Sequence, residues 1–183
     1  MIKIPSNLPF KPSGIPFFYG WIVLFAGTTG TLMSIPGQTM GVSVFTNPLI
    51  IDLEMERVGL SLAYLLGTLM SGFIITYAGI LYDKAGARVI AMAAGIFLGV
   101  MLFYLTRVDA IAVFIQRLLP GAKRENIMMV LMTIGFFGIR FFGQGVMTMT
   151  SRNMVMKWFD KRRGFANGIM SVFVAFGFSY SPD

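Results

Sequence analysis

The chain has 183 residues, 56% of them hydrophobic and only 13% charged, with a mean hydropathy of +0.74; a soluble domain carries roughly a quarter charged residues, so most of this surface is not built for water. The net charge of +7 and pI near 10.0 would suit nucleic acid, but the basic residues sit in short clusters between apolar runs and form no basic face, which excludes that partner. With no Cys and no His there is no disulfide framework, no thiolate metal site and no histidine base, so neither an enzyme nor a metal or cofactor protein is expected.

In chain order, residues 1–18 form a lead segment. Its prolines (Pro5, Pro9, Pro12) and its lack of an apolar core argue against a cleaved signal peptide. Residues 19–180 then carry five runs of near-membrane length, which need about 20 apolar residues each. They cover about Tyr19–Phe45, interrupted by Pro36-Gly37, then Val58–Tyr82, Ala87–Leu105, Ile127–Thr150 and Gly164–Tyr180, the last barely long enough. The predicted class is an all-α polytopic membrane protein of five transmembrane helices, with the lipid bilayer as its surroundings. Ala110–Leu119 is apolar but too short to span. Its Ile111, Phe114, Ile115 and Leu118 share one helical face, so it either lies in the interface plane or extends the third helix. The 21 glycines fall largely within the spans, as close helix packing in lipid requires.

Lys and Arg set the orientation. With the N-terminus inside, the inner segments hold nine basic residues (Lys3, Lys11, Lys84, Arg88, Arg152, Lys157, Lys161, Arg162, Arg163). The outer segments hold five (Arg57, Arg107, Arg117, Lys123, Arg124). The bias predicts a cytoplasmic N-terminus in a cell membrane.

Within the spans, Arg140 stands out, with Gln144 four residues on and sharing its face. A charge at the bilayer centre costs at least roughly 2.5 kcal/mol, so it faces a cavity or a partner. No Asp or Glu lies in any of the five spans. An anionic substrate, or an acid on helices outside this chain, would supply the countercharge. Span one carries Thr28, Thr31, Ser34, Gln38 and Thr39 around Pro36-Gly37. Thr31, Ser34 and Gln38 recur at helical spacing and either line a polar cavity or bond back to their own helix. Pro36 either frees carbonyls for a ligand or only kinks the helix. Tyr64, Asn167 and Ser171 are weaker candidates, for which packing is the default.

Between the second and third spans lies Gly79-Ile80-Leu81-Tyr82-Asp83-Lys84-Ala85-Gly86-Ala87-Arg88. Gly79 permits close approach of another backbone and Gly86 a sharp reversal. Asp83 can accept hydrogen bonds, and Lys84 and Arg88 favour the cytoplasmic side. The pattern G-x-L-x-D-K-x-G-x-R resembles the loop between helices 2 and 3 of the major facilitator superfamily, with Ala87 in place of the usual basic residue. Arg140-x-x-Gly143-Gln144-Gly145 resembles that superfamily's helix 4 motif. Trp158-Phe159, Arg162-Arg163-Gly164 and Ala166-x-Gly168-Ile169 resemble the segment after helix 4 in its monocarboxylate and oxalate–formate carriers. Tyr19-Gly20-Trp21 is similar to the same subgroup. The likeness runs from Tyr19 to about Gly177, with a longer Arg107–Asn126 loop than the family usually allows.

That resemblance implies helices 1–5 of a major facilitator fold and secondary transport of a small solute, an organic anion such as a monocarboxylate, by alternating access. It gives Arg140 a part in substrate or proton coupling; with Gln144, and with Gln38, Thr31 and Ser34 from their spacing, Arg140 makes up the expected transport path, and Gly79, Asp83, Lys84, Gly86 and Arg88 the cytoplasmic gate. It further implies that the chain is the N-terminal part of a longer carrier, inactive without a C-terminal half, with 181–183 a truncated end. The alternative is a small polytopic assembly or interaction protein without transport activity.

Overall fold

A computed structural model describes residues 16–179, which are all helix and short turn. Most of the 1–18 segment (Lys3 and Lys11 included), Tyr180 and the 181–183 end lie outside them. Seven helices follow one another: α1 (Gly20–Met33), α2 (Thr39–Asp52), α3 (Arg57–Ala85), α4 (Ala87–Thr106), α5 (Val108–Leu118), α6 (Arg124–Trp158) and α7 (Arg163–Ser179). Three of them, α3, α4 and α6, are long and apolar enough to cross a membrane. At about 1.5 Å per residue the 29 residues of α3 reach about 43 Å, and the 20 of α4 about 30 Å.

The first expected span is not one helix. It ends at Met33, passes through a 3-10 turn at Ile35–Gly37 and an extended Gln38 (φ −80°, ψ 155°), and restarts at Thr39. Pro36 has no N–H to give the ladder, which explains why the break falls there. The fourth span is longer than expected, 35 residues, and contains a π-helical segment at Arg140–Met147. The Ala110–Leu119 stretch does not extend the third helix. α4 stops at Thr106, and α5 starts afresh with Asp109 in its first turn and Arg117 in its last, both complementing the helix dipole. Its expected apolar face is divided between the core and the outside. Val108 and Ala112 are buried and Ile111 and Ile115 partly so, while Phe114 and Leu118 stay exposed. A salt bridge of 2.8 Å from Arg124 to Asp109 ties α5 to the start of α6.

α6 is the central post. Its first half (Ile127, Leu131, Met132, Phe136, Ile139) packs with α3, α4 and α5 in the largest core. Val146 joins Ala78, Tyr82, Ile90 and Ala94 in a second. Val155 joins Val23, Leu24, Ala166 and Met170 in a third, which binds α1 and α7 to its last turns. Around this post the outer faces are apolar: Phe25, Phe73, Tyr77, Ile96 and Phe103 are all more than 60% exposed. A water-facing monomer does not carry so much exposed apolar surface, whereas lipid accepts it.

Only some glycines serve packing. A Cβ on Gly67 would stand 2.7 Å from the Phe137 amide nitrogen and 3.0 Å from the Thr133 carbonyl, so α3 touches α6 backbone to backbone. At Gly72, Gly79, Gly95 and Gly99 a Cβ would meet nothing within 4 Å. The backbone approach expected at Gly79 is therefore not made among the described residues. Accordingly, Gly67→Ala is expected to destabilise the fold by about 1–3 kcal/mol through overpacking. Gly95→Ala should be neutral or stabilising by up to about 1 kcal/mol. Thermal unfolding in detergent checks the pair, and equal losses at both sites would contradict this packing.

Candidate functional site

The break in the first span and the π segment of α6 meet each other. A Cβ on Gly37 would press on the Ile139 carbonyl oxygen and lie 3.0 Å from Gly143 Cα, so the two backbones touch. Both distortions expose peptide groups that a regular helix would use internally. Polar side chains gather at this contact.

Arg140 is half-buried at the first turn of the π segment. Its Nε donates to Thr68 Oγ1 at 3.2 Å, and Nη1 donates to Thr39 Oγ1 at 3.1 Å and, more loosely, to the Gly37 carbonyl at 3.4 Å. Nη1 also donates to Gln144 Oε1. The guanidinium carbon stands 5.1 Å from the ring centroid of Tyr64, in cation–π contact, and the Tyr64 hydroxyl donates to Thr39 Oγ1 at 3.3 Å. Every acceptor is neutral, and among the described residues no carboxylate reaches Arg140. Gln144 and Thr39 are exposed, so the positive cluster opens on a face of the bundle.

Ser34 anchors a neighbouring network. It is fully buried and donates to the Thr31 carbonyl at 2.6 Å. Its oxygen lies 3.1 Å from Thr148 Oγ1, and Gln38 Nε2 donates to both, at 3.0 and 3.2 Å. Thr148 in turn lies 3.5 Å from the Gly143 carbonyl, five residues back across the π turn.

The sequence-predicted residues thus divide. Arg140 and Gln144 are together, with Thr39 beside them. Ser34 and Gln38 meet one another one step away, although Gln38 is extended and not helical. Thr31 is buried and, like Thr28, bonds back to its own helix, Thr31 to Gly27 and Thr28 to Leu24. The carbonyl freed beside Pro36 is that of Gly37, and Arg140 takes it. Thr68 and Thr148 were not foreseen. Each lies four residues beyond a residue that was singled out, Tyr64 and Gln144, and that spacing was the available signal. Tyr64 does more than pack, because its ring and hydroxyl both belong to the Arg140 cluster.

The gate residues lie elsewhere. Gly86 takes φ 84° and ψ 163°, a region that only glycine enters freely, and reverses the chain between α3 and α4 in one residue. Asp83, Lys84, Gly86 and Arg88 line a groove of about 590 Å³ together with Lys157 and Trp158 at the end of α6. Lys157 Nζ stands 4.9 Å from the Tyr82 ring centroid, and Tyr19 packs on Trp158 at 5.0 Å. Arg140 belongs to a separate cluster. Among the described residues no group of acidic or sulfur ligands could hold a metal ion. Comparison with protein-family models, curated proteins and solved structures gives no match for this chain.

Proposed function

We propose that the chain is part of a secondary carrier of the major facilitator type, which moves a small organic anion such as a monocarboxylate across a cell membrane by alternating access. The observation that carries this reading is the Arg140 cluster. A guanidinium at mid-helix is held by five neutral groups, Thr68, Thr39, the Gly37 carbonyl, Gln144 and the Tyr64 ring, at an opening of the bundle. In lipid such a charge is costly unless water, protein or a counterion faces it. A carboxylate would supply two acceptors to the planar fork in a low-dielectric setting, where charge-assisted hydrogen bonds are strongest.

The same opening supports a second bundle of helices covering this face, with the substrate between the two. The break beside Pro36 and the π segment are the deformable elements, and π segments mark functional sites in helices. Positive clusters at Lys84, Arg88, Lys157 and Arg163 support an orientation with the α3–α4 turn, the end of α6 and the N-terminus on the cytoplasmic side. The Asp83 groove there would latch against the second bundle. Transport of this kind breaks no bond, so it calls for no cofactor.

The test is uptake of radiolabelled lactate, oxalate and formate into vesicles carrying the product of the native reading frame. Uptake of at least one at about tenfold or more above empty vesicles is expected. Uptake indistinguishable from empty vesicles for all three would overturn the anion assignment.

A further inference from the structure

A second arginine follows Arg140 on the same seam. Arg140, Gln144, Thr148 and Arg152 recur every four residues along α6. In a regular helix of 3.6 residues per turn such a series drifts by about 40° at each step, which would carry Arg152 a third of a turn away. The wider turns of the π segment Arg140–Met147 take up that drift, with Thr148 reaching back five residues to Gly143. The first span runs against the series in the opposite sense. Thr39 and the Gly37 carbonyl meet Arg140, Ser34 and Gln38 meet Thr148, and Thr31 shares a groove with Arg152. The result is a row of polar groups with a guanidinium at each end.

The groove at the Arg152 end, about 230 Å³ between α1, α6 and α7, is open to the outside, since Arg152 and Ser171 are both exposed. Its polar lining is Arg152, Ser171 and Thr31; Met170, Val174 and Phe178 are apolar walls. No Asp or Glu lines it, and within the described residues Arg152 makes no hydrogen bond or ion pair. Water occupies about 30 Å³ per molecule in the liquid, so this volume accommodates a carboxylate of a few heavy atoms with some water. The Thr31 proton is committed to Gly27, which leaves the Arg152 fork and the Ser171 hydroxyl as donors.

We propose that this groove is a second anion site, binding a small carboxylate on the Arg152 guanidinium beside Ser171. The site stands on its own geometry. Its place as the station to which substrate passes after leaving Arg140 rests on the transport reading above. Two separated fixed charges serve release, because an anion leaves one site for a vacant neighbour more readily than for lipid.

Phenylglyoxal, which modifies unpaired guanidinium groups, tests the site on the full-length protein in detergent, with peptide mapping following Arg140 and Arg152 separately. Acetate is expected to slow modification of Arg152 at least about fivefold, while acetamide and chloride at matched ionic strength do not. Protection of Arg140 alone would overturn the second site and leave the transport reading intact. Protection of Arg152 alone would support the site and count against Arg140. Protection of neither would overturn the site. So would an Arg152 that resists the reagent without acetate, since the site must be open to water, or equal protection by chloride. Arg152→Gln should slow carboxylate uptake about tenfold with acetate protection of Arg140 unchanged, and Arg152→Lys should recover part of the rate.

Discussion

Replacing Arg140 with alanine is expected to lower carboxylate uptake by about 100-fold or more while the protein still reaches the membrane in normal amount. Truncating one partner of a buried, hydrogen-bonded charge pair costs about 2–5 kcal/mol, roughly 30- to several thousand-fold in binding. Arg140 is the one cation in this cluster, so no neighbour replaces it. The groups it leaves behind are neutral: Thr68, Thr39, Gln144 and the Gly37 carbonyl, and of these Thr39 and Gln144 are exposed where water can satisfy them. The fold should therefore survive the loss better than transport does. Arg140→Lys is expected to recover little. An ammonium keeps the charge but cannot span from Thr68 to Thr39 and Gln144 while lying over the Tyr64 ring. Uptake per unit of surface-exposed protein is the measurement. An alanine variant that transports normally would sink the transport role of Arg140.

Gly37→Ala is expected to be the most damaging of the small substitutions, although it adds a single methyl group. That methyl would press on the Ile139 carbonyl oxygen, with the Gln144 amide nitrogen at 2.9 Å and Gly143 Cα at 3.0 Å. All three are backbone atoms, so no side chain can rotate away and the turn must separate from the π segment. A cost of about 2–3 kcal/mol follows for overpacking of this kind. For a chain of this size that is roughly 5–10 °C in Tm. The same displacement pulls the Gly37 carbonyl and Thr39 from Arg140 and moves Ser34 off Thr148, so uptake should fall as well. Gly95→Ala, in open space, is the matched control. If Gly37→Ala melts with the wild type, the two backbones are not in contact.

Much of the scaffold was legible before any coordinates. The apolar runs at Val58–Tyr82 and Ala87–Leu105 become α3 and α4 almost residue for residue, because Gly86 and the charges around it interrupt an otherwise unbroken hydrophobic pattern. The interruption at Pro36-Gly37 was legible for the same kind of reason, since proline withdraws a donor wherever it stands. The π segment was not. Its residues, Arg140 to Met147, are compatible with an α-helix, and the widened turn falls where Gly143 meets Gly37 across the interface. For α5, periodicity identified a helix and a shared apolar face, but not which residues of that face would meet the core.

For the site, residue type alone marked Arg140: a charge in an apolar run demands an explanation from its position in the chain. Gln144 followed from helical spacing. Thr68 and Tyr64 join the same cluster from a different helix, and the approach of α3 to α6 is set by Gly67 lying on the Phe137 backbone, a contact between residues 70 apart in sequence. The amino-acid sequence by itself determined that this chain is helical, apolar on its outside and charged once in its interior. It could do so because hydropathy, helix-breaking and the cost of a buried charge are local properties. Which neutral groups hold that charge, which hydroxyls turn back to their own helix and which cross to another, and where a second arginine faces the same seam were decided only by tertiary packing. Those outcomes depend on backbone-to-backbone distances between distant segments, which no local pattern encodes.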